Sequence, residues 1–180
     1  MRKTFAEEML IPEGVTCEIQ DKFLICKHGE TEVRKVISLQ DAKISVDEGK
    51  IKLKSGRANK KTLAGIRALM AHIRNMFEGV HKKFAYELEI CNVHFPMTVK
   101  VEGSKFVISN FLGEKEKRVA SILPGVDVEV KGVKITVSSH DIESAGQTSA
   151  NIEYATRVPK RDRRVFQDGI FITSKAGRPI

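Results

Sequence analysis

The strongest basic run in this sequence of 180 residues spans residues 157–164, and an aromatic residue, Phe166, follows it. The cations of the run are Arg157, Lys160, Arg161, Arg163 and Arg164. A guanidinium group binds a phosphate through two parallel hydrogen bonds and also stacks on nucleobases, as an aromatic ring does. The run therefore indicates contact with folded RNA. The five cations form the primary predicted contact set, and Phe166 is predicted to bind RNA beside them.

A second group of cations lies in residues 50–61, a stretch that contains no acidic residue. The first helix is predicted to begin near Lys60 and Lys61, although the helix dipole disfavours cations at that end. Two interpretations remain open. Either the helix begins further along the chain or solvent screens the cost, or Arg57, Asn59, Lys60 and Lys61 surround a phosphate at the helix N-terminus. The second interpretation adds Arg57, Lys60 and Lys61 to the predicted RNA-binding set.

Residues 138–141 read Ser-Ser-His-Asp and combine a hydroxyl, an imidazole and a carboxylate. Neighbours in sequence do not form a catalytic triad by adjacency, and an Asp before a helix is typical of a cap. The five histidines lack the spacing of metal ligands, and neither common glycine-rich phosphate-binding motif is present. We therefore predict no enzyme, no catalytic residue, no metal site and no cofactor.

The composition, with 41% hydrophobic and 30% charged residues, argues against both a disordered chain and a membrane protein. No run approaches 18 apolar residues, and Glu7 and Glu8 lie where a signal peptide would be apolar. Cys17, Cys26 and Cys91 show no CxxC spacing, so neither a zinc ribbon nor a disulfide framework is expected. The chain is predicted to be soluble and intracellular.

The net charge of +8 is distributed unevenly, because residues 157–180 carry +5 of it. Localised positive charge indicates a docking surface better than charge that is spread over the whole surface. A polyanionic partner is therefore expected for the C-terminal region.

The sequence resembles itself at a spacing of 83 to 84 residues. Matching pairs include Val15 and Val99, Phe23 and Phe106, Ile25 and Ile108, and Ile51 and Ile135. Because the matches continue through strands, turns and a helix, they predict two copies of one small domain. The predicted boundaries are residues 1–92 for the first repeat and residues 93–180 for the second repeat, which includes the basic loop.

Alternating apolar residues predict the strands of each copy, and one segment per copy has helical spacing, as at Ile66, Met70 and Ile73. A last strand is predicted to complete each copy, at residues 84–90 in the first and 170–172 in the second. The predicted fold class is α+β, with two tandem similar domains, each an antiparallel sheet with one packed helix.

The two copies differ between the helix and the predicted last strand. The first copy spans this gap with about five residues, whereas the second uses about thirteen, residues 157–169, and fills them with arginine. A lengthened, charged loop on a duplicated scaffold suggests that the loop carries the function. The alternative interpretation is a solvated turn.

Four stretches resemble a known family. They are residues 75–80 (Asn-Met-Phe-Glu-Gly-Val), 94–96 (His-Phe-Pro), 143–147 (Glu-Ser-Ala-Gly-Gln) and 161–169 (Arg-Asp-Arg-Arg-Val-Phe-Gln-Asp-Gly). In these stretches the chain resembles the L-six family of large-subunit ribosomal proteins, in its archaeal and eukaryotic form. The match covers nearly the whole chain, and the last stretch is the most specific.

The resemblance implies two similar α+β domains and large-subunit rRNA as the ligand. It further implies a structural protein of the cytoplasmic ribosome, with neighbouring large-subunit proteins as partners. It also implies a position near the sarcin–ricin loop and the stalk base, where translational GTPases dock. Two other function classes remain as alternatives, a small α+β enzyme and an interaction module, each acting on an acidic partner.

Overall fold

The computed structural model describes residues 3–37, 42–47, 49–159, 161–162 and 164–180 of the chain, with side chains except those of residues 3, 4 and 57. The chain divides into two compact units, Met1–Lys82 and Lys83–Ile180. Neither helix in the described part of the chain combines the length and the apolar character that crossing a bilayer requires.

In its described residues, unit 1 contains six strands followed by one helix. The strands are β1 (Lys3–Leu10), β2 (Thr16–Gln20), β3 (Phe23–His28), β4 (Thr31–Val36), β5 (Lys43–Asp47) and β6 (Lys50–Ala58), and the helix is α1 (Lys60–His81). They form two antiparallel three-stranded sheets, in the orders β1-β6-β5 and β2-β3-β4. On paired strands β2 and β3, the free thiols of Cys17 and Cys26 lie with their sulfur atoms 2.8 Å apart.

Helix α1 forms because a capping residue precedes an amphipathic stretch. The side chain of Asn59 accepts a hydrogen bond from the backbone N–H of Thr62 at 2.9 Å, which satisfies one of the unpaired donors at the helix start. Ile66 and Ile73 on one face are fully buried among the apolar side chains of the two sheets. Burying each such side chain stabilises the unit by about 1.5–3 kcal/mol.

The described part of unit 2 contains eight strands and one α-helix. The strands are β7 (Phe84–Cys91), β8 (Thr98–Glu102), β9 (Lys105–Ser109), β10 (Arg118–Ser121), β11 (Val126–Lys131), β12 (Lys134–Ser139), β13 (Gly169–Lys175) and β14 (Arg178–Pro179), and the helix is α2 (Ile142–Ala155). A short 3-10 turn, Phe111–Gly113, precedes β10. The sheets are antiparallel, in the orders β8-β9-β10 and β11-β12-β7-β13-β14.

Strand β7 corrects the predicted organisation. It was expected to close the first repeat, yet it pairs with β12 and β13 and belongs to unit 2, so the predicted boundary after residue 92 lies ten residues beyond the division after Lys82. The counterpart of β7 in unit 1 is β1, as the strand register shows. Leu88 of β7 lies opposite Ile135 of β12, and Met9 of β1 lies opposite Ile51 of β6 in the same way. Strand β7 therefore opens the second repeat as β1 opens the first. The sequence did not show this, because alternating apolar residues predict a strand but do not identify the strand that pairs with it.

Strand β13 continues the sheet on the other side of β7, with Ile170 opposite Ile90. In the first unit, β1 occupies the edge of its sheet, and no described strand pairs with it at the position that β13 holds against β7. The α+β class is confirmed, and the structure describes two sheets and one α-helix in each unit. The second unit differs from the first by β13, β14 and the loop that leads to them.

Candidate nucleic-acid interface

The basic loop, defined here as residues 157–168, connects the end of α2 to the start of β13. A hydrogen bond closes its base: the backbone N–H of Ile170 donates to the hydroxyl of Thr156 at 2.9 Å. The Thr156 hydroxyl in turn donates to the carbonyl of Glu153 in the last turn of α2. Thr156 and Ile170 are both buried, so the two ends of the loop are held together in the interior of unit 2.

Asp168, the last residue of the loop, attaches it to the connection between β7 and β8. The backbone N–H groups of Val93 and His94 donate to one carboxylate oxygen of Asp168 at 2.8 and 2.9 Å. The other carboxylate oxygen lies 2.5 Å from Nδ1 of His94. The carboxylate bridges segments that are 74 residues apart in sequence, and its side chain is only 1% exposed.

These contacts keep Asp168 ionised. Burial by itself would raise its pKa, but the hydrogen bonds from His94 and Val93 outweigh burial and hold the pKa of Asp168 at about 2. Asp168 therefore remains a charged, fully engaged carboxylate at neutral pH. Its position at the foot of the loop makes it an anchor for the cations before it.

Phe166 connects the anchor to the arginines. Its ring stacks with the imidazole of His94 at a centroid separation of 5.4 Å and an interplanar angle of 24°. The guanidinium carbon of Arg161 lies 4.6 Å from the centre of the same ring. A cation held against an aromatic ring keeps its hydrogen-bond donors free for a phosphate, so this contact orients Arg161 without neutralising it.

Asp162 shapes the middle of the loop. Its side chain accepts a hydrogen bond from the backbone N–H of Arg164 at 2.9 Å, which is the pattern of an Asx turn. Its carbonyl accepts from the backbone N–H groups of Val165 and Phe166. The turn leaves Arg161 and Arg164 exposed on the surface.

Arg157 begins the loop, and its guanidinium carbon lies 5.9 Å from the centre of the Tyr154 ring. Arg118, which the sequence did not single out, supports this end of the loop from strand β10. It donates to the carbonyls of Ala155 and Arg157 at 3.0 and 3.1 Å. A cation at these carbonyls also suits the negative end of the α2 dipole.

Arg118 is itself held in place. Its guanidinium donates two hydrogen bonds of 2.7 and 2.6 Å to the carboxylate of Glu114 and lies 4.3 Å from the centre of the Phe111 ring. These hydrogen bonds lower the pKa of Glu114, and the nearby charge of Arg161 acts in the same direction. Arg118 is a structural cation whose charge is paired with that of Glu114.

The predicted RNA-binding residues fall into two groups in different units. Arg157, Arg161 and Phe166 lie together in the basic loop of unit 2, with Arg164 in the same turn. Two further predicted contacts, Lys160 and Arg163, lie outside the described residues, as does the side chain of Arg57.

In unit 1, Lys60 and Lys61 occupy the first two positions of α1 and are exposed. The interpretation that the helix begins further along the chain is therefore wrong. The first turn of α1 contains no acidic residue, so two cations lie at the positive end of the helix dipole. Elsewhere in the 50–61 stretch, Lys50 pairs with Glu8 at 3.7 Å and Lys52 pairs with Asp47 at 3.5 Å.

Sequence reasoning did not identify Asp168 and His94 as the residues that position the loop, although both lie in stretches that carry the family resemblance. The signal for Asp168 was weak: it is one acid at the end of a basic run, directly before a strand. Among the described residues, no three His, Cys, Asp or Glu side chains cluster as metal ligands would. What the geometry offers is an exposed set of arginines on an anchored loop, which suits the binding of a polyanion.

The chain is similar to known proteins of one family. The sequence model of the family described as Ribosomal protein L6 matches residues 95–169, a range that contains the whole basic loop. The chain is 44% identical to the large ribosomal subunit protein uL6 of Aeropyrum pernix over 167 residues, which are 92% of each protein. This chain belongs to the ribosomal protein L6 family.

Two further relatives are similar over almost their whole lengths. The large ribosomal subunit protein uL6 of Haloarcula marismortui is 44% identical over 95% of this chain and 96% of the relative. That of Methanococcus vannielii is 40% identical over 97% of this chain and 96% of the relative. The family resemblance read from the four sequence stretches is confirmed. Because the matched relatives are ribosomal proteins, family membership also confirms the prediction that the chain is not an enzyme.

Proposed function

We propose that this protein is a structural constituent of the large ribosomal subunit and binds large-subunit rRNA through the basic loop of unit 2. The observation that carries the proposal is the exposure of Arg157, Arg161 and Arg164 on a loop that is anchored at both ends. An anchored loop has already lost part of its conformational freedom, so binding costs less ordering entropy. Lys160 and Arg163 complete the primary contact set in this proposal.

Lys60, Lys61 and Arg57 form a proposed second contact with RNA. The exposed lysines at the positive end of α1 cost the isolated protein some stability, and a phosphate at the helix start would remove that cost. In the cytoplasmic ribosome, the neighbours of this protein are other large-subunit proteins. The family resemblance extends the proposal to a position near the site of the translational GTPases.

Salt-dependent binding to large-subunit rRNA tests the primary contacts. If about five cations of the loop each neutralise a phosphate, the logarithm of affinity falls against the logarithm of salt concentration with a slope of roughly −3.5 to −4.5. Replacing Arg157, Arg161 and Arg164 with Gln lowers the magnitude of the slope by roughly 2 to 3.

A matched control replaces Lys100, Lys105 and Lys115, three exposed cations elsewhere in unit 2, with Gln. This variant has the same net charge as the loop variant, and its slope and affinity are expected to stay close to those of the wild type. Equal losses in the two variants would show that general charge, not the loop, drives binding.

The proposed position near the GTPase site has its own test. A hydroxyl-radical source attached at residue 161 of the protein in reconstituted large subunits maps the rRNA around the loop. Cleavage is expected in the sarcin–ricin loop or at the stalk base. Cleavage confined to RNA far from both would contradict the position but not the binding.

A further inference from the structure

A cavity of about 350 Å³ lies beside the basic loop, between the last turns of α2 and the start of β13. Three of its lining residues are aromatic: Tyr154, Phe166 and Phe171. Arg157 and Glu153 contribute charged groups of opposite sign. The volume is within the range of pockets that hold small planar ligands.

Tyr154 is exposed although it is a large aromatic residue, with 71% of its surface accessible. It lies on α2 next to the cavity, and the guanidinium of Arg157 is near its ring. An exposed aromatic ring beside an arginine is the combination that RNA-binding proteins use for unstacked bases: the ring stacks on the base, and the arginine contacts the backbone.

Glu153 gives the cavity a preference among ligands. One of its carboxylate oxygens accepts a hydrogen bond from the backbone N–H of Ile172 at 3.2 Å, which orients the group. Among the described residues, none donates a hydrogen bond to the other oxygen. A carboxylate in the lining repels a phosphate but accepts hydrogen bonds from the amino group of a base. The cavity therefore suits a base, while Arg157 in its lining and the other exposed arginines of the loop suit the backbone.

From this arrangement we infer that the cavity receives one unstacked nucleobase of the bound RNA, and that the base carries an exocyclic amino group. The base stacks on the ring of Tyr154, its amino group donates to the carboxylate of Glu153, and Arg157 holds a neighbouring phosphate. The inference rests on the proposed function, and it adds a base-selective contact to a surface otherwise selective only for charge.

The first test measures the affinity of the full-length protein for large-subunit rRNA. Because stacking on an aromatic ring contributes about 1–3 kcal/mol per base, Tyr154→Ala is expected to weaken binding by about five- to 150-fold. Tyr154→Phe keeps the ring and is expected to bind as the wild type does. Neither substitution removes a cation, so the salt slope stays unchanged, whereas the triple Gln variant of the loop lowers it.

Phe23→Ala in unit 1 serves as the control, since Phe23 is also an exposed aromatic residue, with 42% of its surface accessible. Unchanged affinity in Tyr154→Ala, together with a reduced slope in the triple Gln variant, overturns the base pocket and leaves the proposed function standing. If wild-type protein shows no salt-dependent affinity for the rRNA, the proposed function itself fails.

The second test examines base preference by competition with RNA octamers of adenine, cytosine or uracil. Adenine and cytosine octamers are expected to displace the rRNA about five- to tenfold better than the uracil octamer, which lacks the amino group. Glu153→Gln keeps the oxygen that accepts from Ile172 but replaces the other oxygen with an amide N–H donor. In this variant, the advantage of the adenine and cytosine octamers over the uracil octamer should disappear. Any of three results overturns the inference. The three octamers compete equally, none of them competes, or a polyglutamate peptide displaces the rRNA as efficiently as RNA does.

Discussion

Asp168 is the residue that attaches the end of the basic loop to the connection between β7 and β8. Its carboxylate is buried, engaged by Val93 and His94, and has a pKa of about 2 against an ordinary value of 3.8. A pKa lowered in the folded state means that the ionised group stabilises folding at pH values above 3.8. This contribution decreases as the pH falls and is lost below about 2.

Asp168→Asn is expected to lower the free energy of unfolding by about 2 kcal/mol at pH 7, as the size of the pKa shift indicates. Denaturant unfolding at pH 7 and at pH 2.5 measures the effect, and the difference between variant and wild type should shrink at the lower pH. Asp127→Asn is a control, because the Asp127 side chain is 65% exposed and pairs with Lys83 at the surface. An equal loss in the control would contradict the anchoring role.

Arg161 tests whether charge or shape matters in the loop. Arg161→Lys keeps the charge but loses the planar guanidinium against Phe166, so affinity for large-subunit rRNA should fall by about two- to fivefold. Arg178→Lys, also at an exposed position of unit 2, is the matched control. Full affinity in Arg161→Lys would favour the alternative of an interaction module that recognises acidic partners by charge alone.

At the scale of elements, the two lysines in the first turn of α1 are expected to lower the stability of the helix and to strengthen RNA binding. Replacing Lys60 and Lys61 with Glu is expected to stabilise unit 1 by about 0.3–1 kcal/mol per substitution, because acids suit the positive end of a helix. If these lysines contact a phosphate, the same variant binds rRNA more weakly. Thermal unfolding and rRNA binding are measured on one preparation.

A variant with both Lys22→Glu and Lys43→Glu, at two exposed positions elsewhere in unit 1, controls for the change of net charge. If the variant with Glu at positions 60 and 61 is more stable than the wild type but binds rRNA no more weakly than the control variant does, Lys60 and Lys61 are not part of the interface. The solvated interpretation of the 50–61 stretch would then hold.

Strand β13 is the element that distinguishes the two repeats. It pairs with the side of β7 that faces away from β12. In unit 1, the corresponding side of β1 is the edge of its sheet among the described strands. This pairing brings the end of the basic loop next to the connection between β7 and β8, where Asp168 meets His94. The added strand therefore explains how a long charged loop is held close to its scaffold.

On the scale of the whole molecule, charge and core are distributed differently. Each unit has its own buried apolar cluster, whereas residues 157–180 hold +5 of the net charge of +8. Residues 83–180 alone are expected to fold and to retain most of the salt-dependent affinity for large-subunit rRNA. Circular dichroism of this fragment checks folding, and the salt slope checks binding; a folded fragment without a salt slope would assign binding to unit 1.

Much of the architecture could be predicted because it is encoded locally. The spacing of Ile66, Met70 and Ile73 predicts α1, the repeat at 83 to 84 residues predicts two similar units, and the arginines of residues 157–164 indicate a polyanion. Each of these signals depends on residues close together in sequence or on a comparison of the sequence with itself.

The sequence by itself determined the class of the fold, the repeat and the location of the charge. Only the tertiary structure decided that β7 opens the second unit, that Asp168 meets His94 across 74 residues, and that Tyr154 and Glu153 line a cavity beside the loop. The physical reason is that local spacing specifies which face of an element is apolar. Which partner covers that face is decided by burial and hydrogen bonding over the whole chain.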